Sequence, residues 1–156
     1  MLSPDHAAIL SGLDKIETGL SRIYKHFSEL GHFAGPVKAF WSSISAEELM
    51  HARTIAEIRE RTLADEAFHL DLGIDRKQLQ DFVQKVNSLL ERVKSEDISE
   101  SEAYTFAAMI EAELNEAAFL GGVKIGDPGL AQKIQRMGND TKRHKVILVN
   151  YSRGVR

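Results

Sequence analysis

Apolar residues recur at helical spacing through almost the whole chain, and no stretch alternates apolar and polar residues as a half-buried strand would. In the first run Leu10, Leu13, Leu20 and Phe27 share a face, with Ser3 as an N-cap, Pro4 in the first turn and Gly31 as a stop, giving a helix over about 4–30. A second run over about 36–62 lines up Val37, Trp41, Ile44, Ile55 and Ile58. Asp75 opens a shorter amphipathic helix to about 95 through Leu79, Phe82, Val83, Val86, Leu89, Leu90 and Val93. Ser99 or Ser101 caps the next, over about 99–122, with Ala103, Phe106, Ala107, Ile110, Ala117 and Leu120 inward. After the turn Gly126-Asp127-Pro128-Gly129, a last helix over about 128–151 carries Leu130, Ile134, Met137, Leu148 and Tyr151. The expected class is all-α, and 156 residues form one domain spanning 1–156.

Loop length then sets topology. The first two long helices share a short turn, as do the last two, so each pair reads as an antiparallel hairpin. The second and third long helices are instead joined through the 75–95 segment. At about 1.5 Å per residue that segment approaches the length of a bundle. The expectation is a four-helix bundle with a long crossover containing a short additional helix.

Twenty Lys and Arg against 23 Asp and Glu give a net charge of -3, so no basic field recruits nucleic acid or anionic lipid. The absence of cysteine removes thiol nucleophiles, Cys-ligated zinc and iron–sulfur chemistry, leaving Glu, Asp and His as the metal ligands. No run approaches the roughly 18 apolar residues of a membrane span, and no basic segment followed by an apolar one opens the chain; a cytoplasmic location is expected.

The residues that break the apolar stripes are the informative ones. Glu17 interrupts Leu10, Leu13, Leu20, Tyr24 and Phe27; Glu48 and His51, three apart and therefore on one face, interrupt Trp41, Ile44 and Ile55. Glu113 sits in the row Phe106, Ile110, Ala117, Leu120, and His144 in Met137, Thr141, Leu148, Tyr151. A buried unpaired carboxylate costs several kcal/mol, so each demands compensation. Glu17 and Glu48 lie at matching depth about the Gly31–Gly35 turn, and Glu113 and His144 about the Gly126–Gly129 turn, which brings these side chains to one level. Carboxylates from two helices with a Glu-x-x-His pair facing them suit di-iron or di-manganese binding, where anionic oxygens offset metal charge and imidazole supplies nitrogen.

On these residues the chain resembles the ferritin-like superfamily, and within it the rubrerythrin-like branch. Glu17 to Tyr24 is similar to that branch's Glu-x₆-Tyr element, Ala46-Glu47-Glu48-Leu49-Met50-His51-Ala52 to its first Glu-x-x-His helix, and Glu113 to Phe119 to its second-half Glu helix. The resemblance implies a ferritin-like bundle in which Glu17 and Glu113 are terminal ligands, Glu48 a bridging ligand, and His51 and His144 nitrogen ligands, one for each iron. It implies a non-haem di-iron oxidoreductase acting on peroxide or dioxygen, with Tyr24 as a hydrogen-bond or electron partner and manganese as the alternative metal. Without a rubredoxin domain, a separate electron donor is required. The chain departs from the pattern at Thr141-Lys142-Arg143-His144, which lacks the second bridging Glu; Asp140, four residues before His144, is the shorter substitute, with Glu47, Glu111 and Glu116 as reserves. The competing reading is a metal-free ferritin-like bundle serving as an interaction or oligomerisation module. His6, His26, His32 and His69 are expected to be solvated. A second apolar row on the first helix, Ile9, Ile16, Ile23 and Leu30, points to a homodimer that covers it.

Overall fold

A computed structural model describes residues 4–64, 75–113 and 127–154. Among them the chain is all helical: α1 Pro4–Glu29, α2 Gly35–Ala64, α3 Arg76–Ser95, α4 Glu100–Glu113 and α5 Pro128–Ser152. The expected continuation of α4 to 122, with Ala117 and Leu120, lies outside the described residues, as do Glu116 and His69.

The helix starts follow local chemistry. The Asp75 carboxylate accepts from the backbone N–H groups of Lys77 and Gln78, and that of Asp127 accepts from Leu130, with Pro128 in the first turn of α5. Of the two serines expected to cap α4 it is Ser99, in a capping box: its Oγ accepts from the Glu102 N–H while Glu102 Oε2 accepts from the Ser99 N–H at 2.9 Å.

Side-chain pairings give each helix its direction. Ser21 Oγ donates to the Ser45 carbonyl at 2.9 Å and Ser45 Oγ donates back to the Ser21 carbonyl at 2.8 Å, so α1 and α2 pack closely and antiparallel across small residues. Along α3, Leu79 faces Gly12, Val86 faces Gly19 and the Val93 carbonyl lies 2.9 Å from His26 Nε2, a seven-residue repeat on both helices that makes α3 parallel to α1. Lys85 pairs with Glu113 and the Arg92 guanidinium lies 4.8 Å over the Phe106 ring, so α4 runs back antiparallel to α3. Consequently α4 is parallel to α2, with Tyr104 beside Trp41 at 4.9 Å between ring centres. Helix α5 runs antiparallel to α2, with Tyr151 against Phe40 at one end and Lys133 paired with Glu57 at the other.

Two expectations change. The row Ile9, Ile16 and Ile23 is buried within the chain, where α3 packs along α1, so its coverage needs no second copy. His26 and His32 are not simply solvated: their Nε2 atoms contact the Val93 and Ile98 carbonyls, tying the α1 end to the last turn of α3 and the following turn to the segment between α3 and α4. No described helix is long and apolar enough to cross a membrane.

The α1–α3 contact makes a signed prediction. A Cβ on Gly19 would stand 2.5 Å from Val86 Cγ1, on a β-branched side chain with little rotamer freedom; a Cβ on Gly12 would meet the flexible tip of Leu79 at 2.6 Å; one on Gly138 would meet nothing. Gly138→Ala should stabilise by about 0.5 to 1 kcal/mol through helix propensity. Gly19→Ala should destabilise by about 1 kcal/mol net, because overpacking of about 1 to 3 kcal/mol exceeds that gain. Gly12→Ala should fall between. Urea unfolding of the three variants would show the order, and Gly19→Ala as stable as Gly138→Ala would contradict the packing.

Candidate metal centre

Four helices deliver polar side chains to one buried level: Glu17 from α1, Glu48 and His51 from α2, Glu111 from α4, and Thr141 and His144 from α5, none more than 3% exposed. Each continues the inward stripe of its helix, so the apolar residues above and below, including Leu13, Leu20, Ile44, Ile55, Met137 and Leu148, carry the charged groups into the core.

Glu48 sits between two histidines with its oxygens divided. Its Oε2 is 3.2 Å from His51 Nδ1, which is also 3.5 Å from Glu17 Oε2. Its Oε1 is 2.9 Å from His144 Nδ1, which lies 4.0 Å from Glu111 Oε1. The result is two overlapping ligand groups, Glu17–Glu48–His51 and Glu48–Glu111–His144, each with its ligand atoms within 4.8 Å of one another and each able to hold a metal ion.

The outward nitrogens have partners of their own. His144 Nε2 contacts Glu47 Oε2 at 2.6 Å, and His51 Nε2 lies 3.4 Å from Asp140 Oδ2. Each ring therefore turns Nδ1 to the centre and Nε2 to a carboxylate on the facing helix, the arrangement by which outer carboxylates orient metal-binding imidazoles and raise their basicity. Tyr24, wholly buried, donates its hydroxyl to Glu111 Oε1 at 2.9 Å and packs against Trp41 at 5.4 Å.

The structure brings together some of the residues read from the sequence and not others. Glu17, Glu48, His51 and His144 meet at the centre. Glu113 does not: it is exposed and paired with Lys85. The inward face of α4 runs through Ala103, Tyr104, Ala107, Ile110 and Glu111, whereas Phe106, taken as inward, is only partly buried and lies beneath Arg92 on the α3 side. Two residues on from Glu111, at about 100° each, Glu113 points well away from the centre. Glu111 stands in the central place expected of Glu113; the row Ala103, Ala107, Ile110 continues to either residue, so spacing alone did not choose between them. Asp140 stands on the outer nitrogen of His51, partly exposed, and lies outside both buried ligand groups. At position 141 the Thr hydroxyl turns back to donate to the Met137 carbonyl on its own helix.

Three buried carboxyl groups and two imidazoles make an oxygen and nitrogen donor set that suits a cation. Burial pushes the Glu48 carboxyl upward, yet contacts from His144, His51 and Glu17 outweigh it and hold the group well below the usual carboxylate range. Burial lowers His144, but the Glu48 and Glu47 carboxylates together with the charge of Glu111 push it up to about 9. Tyr24 is raised well above its ordinary value, by burial first and then by Glu111 and Glu48, so its hydroxyl keeps its proton. The Glu48 oxygen near His144 Nδ1 lies off the ring N–H direction, leaving that buried nitrogen without an aligned hydrogen-bond partner. A buried, misaligned nitrogen beside a divided carboxylate suits a metal ligand set.

Comparison with family models, with curated proteins and with solved structures finds no match for this chain.

The charge pair predicts a distinctive pH dependence for the metal-free protein. Because His144 is raised from 6.5 to about 9, its stabilisation is complete below pH 6.5 and is lost as pH rises towards 9. Because Glu48 is depressed, its contribution is present above pH 4.5 and is lost as pH falls below that value. The thermal midpoint should be highest between these limits and fall by roughly 5 °C between pH 6.5 and 9, as expected for on the order of 2 kcal/mol in a domain of this size. Calorimetry showing a flat or rising midpoint over the alkaline interval would refute a charged His144.

Proposed function

We propose that this chain is a rubrerythrin-like member of the ferritin-like superfamily, with α1, α2, α4 and α5 as its four-helix bundle and α3 as the crossover. It holds two iron ions, one at Glu17, Glu48 and His51 and the other at Glu48, Glu111 and His144, and acts as an oxidoreductase on peroxide or dioxygen. The observation that carries this reading is the division of the Glu48 oxygens between two histidine Nδ1 atoms, which makes one carboxylate common to both ligand groups. Three carboxylates and two imidazoles are a donor set for iron, with manganese the alternative.

Bound iron would supply the electrons for reducing an O–O bond. The protein's own groups do the rest. Glu17 and Glu111 balance charge on either side of Glu48, and Glu47 and Asp140 hold the rings in place. The Tyr24 hydroxyl fixes Glu111. The apolar walls exclude bulk water and strengthen every charge interaction inside. A cavity of about 250 Å³ between α2 and α5, lined by Met50, His51, Thr54, Met137 and Asp140 among others, reaches the edge of His51 and is wide enough for a diatomic or peroxide substrate. Since the chain has no cysteine to carry an iron–sulfur relay, a separate donor supplies electrons. A homodimer completes the proposal, with Leu49, Met50 and Val146 exposed on α2 and α5.

A second reading, a metal-free interaction module, is favoured by Thr141, which stands where the pattern has its second bridging Glu, and by the His144–Glu48 pair, which already neutralises part of the buried charge.

Metal content per chain after iron-replete expression separates the two. Wild type should carry iron, tighter at the Glu17 position, and Thr141→Glu should raise stoichiometry or affinity by adding an anionic bridge three residues before His144. Glu48→Ala should reduce content at both positions to near zero. Wild type and Thr141→Glu both folded and both without metal would leave the interaction module as the account.

A further inference from the structure

Beyond the two ligand groups, one side chain touches the outer carboxylate of both histidines. Arg143 Nη2 donates to Glu47 Oε2 at 2.6 Å, the same oxygen that contacts His144 Nε2, and to Asp140 Oδ1 at 3.1 Å, while Asp140 Oδ2 faces His51 Nε2. Glu47 and His51 are four residues apart on α2, and Asp140 and His144 four apart on α5, so each helix contributes one imidazole and the carboxylate that orients the other helix's imidazole. Arg143 lies at the crossing of these two pairs.

We propose that Arg143 is a positioning residue that sets the orientation of both His51 and His144 through Glu47 and Asp140, and so couples the two metal positions across the α2–α5 interface. It touches neither imidazole and none of the three inner carboxylates in the contacts described. Its reach to both positions follows from one nitrogen bridging two carboxylates. At 49% side-chain exposure its ion pairs contribute little to folding, so removing them leaves the bundle intact while freeing both outer carboxylates to turn. Lysine, a point charge without a planar fork, does not reproduce the two-directional contact.

The inference rests on the metal-binding reading above, and its test is arranged to fail separately. In the metal-free full chain, nitrogen-15 spectra at one fixed neutral pH report the Nε2 atoms of His51 and His144. Arg143→Gln should move both resonances with unchanged helical circular dichroism, and Arg143→Lys should also move both. Movement of only one, or of neither, overturns the proposal, as does full restoration by lysine, which would reduce Arg143 to a charge. In a cobalt(II) absorbance titration, Arg143→Gln should weaken both binding steps by about ten-fold or more, in the range found for changes to groups behind metal ligands. Weakening confined to one step also overturns it. If wild type takes up no cobalt, the metal-binding reading falls and the spectra still decide whether Arg143 orients both rings.

Discussion

A carboxylate with almost no contact with solvent, shared between two histidines, is the interaction on which the rest of this molecule depends. Glu48 is 2% exposed, yet it is held ionised by His144, His51 and Glu17. Alone in an apolar core such a group would take up a proton rather than remain charged. It stays charged here because four helices bring their partners to the same level, and any slip of one helix by a turn would strand a charge. The polar level therefore acts as a register constraint besides being a candidate metal site, a use attested for buried polar groups in helical assemblies.

The apolar layers make that level affordable in free energy. Below and above it, Leu13, Leu20, Ile44, Ile55, Met137 and Leu148 are nearly inaccessible, and the aromatic group of Tyr24, Phe27, Trp41 and Tyr104 packs beside it with ring centres 4.9 to 5.4 Å apart among its close pairs. Helix α3 belongs to this packing rather than to the site. It covers the α1 face that carries Gly12 and Gly19, leaving α1 free to present Glu17 and Tyr24 to the other helices. Around the cluster, Glu47 and Asp140 extend the charge pattern outward to water, where Arg143 closes it.

Much of this was legible in the order of residues. Polar residues that interrupt apolar rows at matching depth were the signal that gathered Glu17, Glu48, His51 and His144, and the same signal also drew in Glu113, which is exposed. Helix periodicity alone did not separate Glu111 from Glu113, because both lie near the required depth and the choice depends on which side of α4 meets α3. Phe106, apolar and correctly spaced, drew the stripe to the wrong side; its cover is Arg92, a tertiary contact with no local signal. The role of Asp140 was hidden for a similar reason, since sharing a face with His144 does not tell whether a residue meets the inner or the outer nitrogen of the opposite ring. The second apolar row of α1 suggested a partner molecule, and the partner was α3, whose heptad of Leu79, Val86 and Val93 matches the glycine spacing only once the two helices are laid parallel.

The central claim, that Glu48 is one carboxylate serving two metal positions, is tested most directly by anomalous X-ray diffraction at the iron edge from crystals of the full chain grown with ferrous iron. The account predicts two anomalous peaks flanking the Glu48 carboxylate, one beside His51 Nδ1 and the other beside His144 Nδ1. Peaks only at exposed carboxylates such as Glu113, or no peak within the bundle, would contradict it.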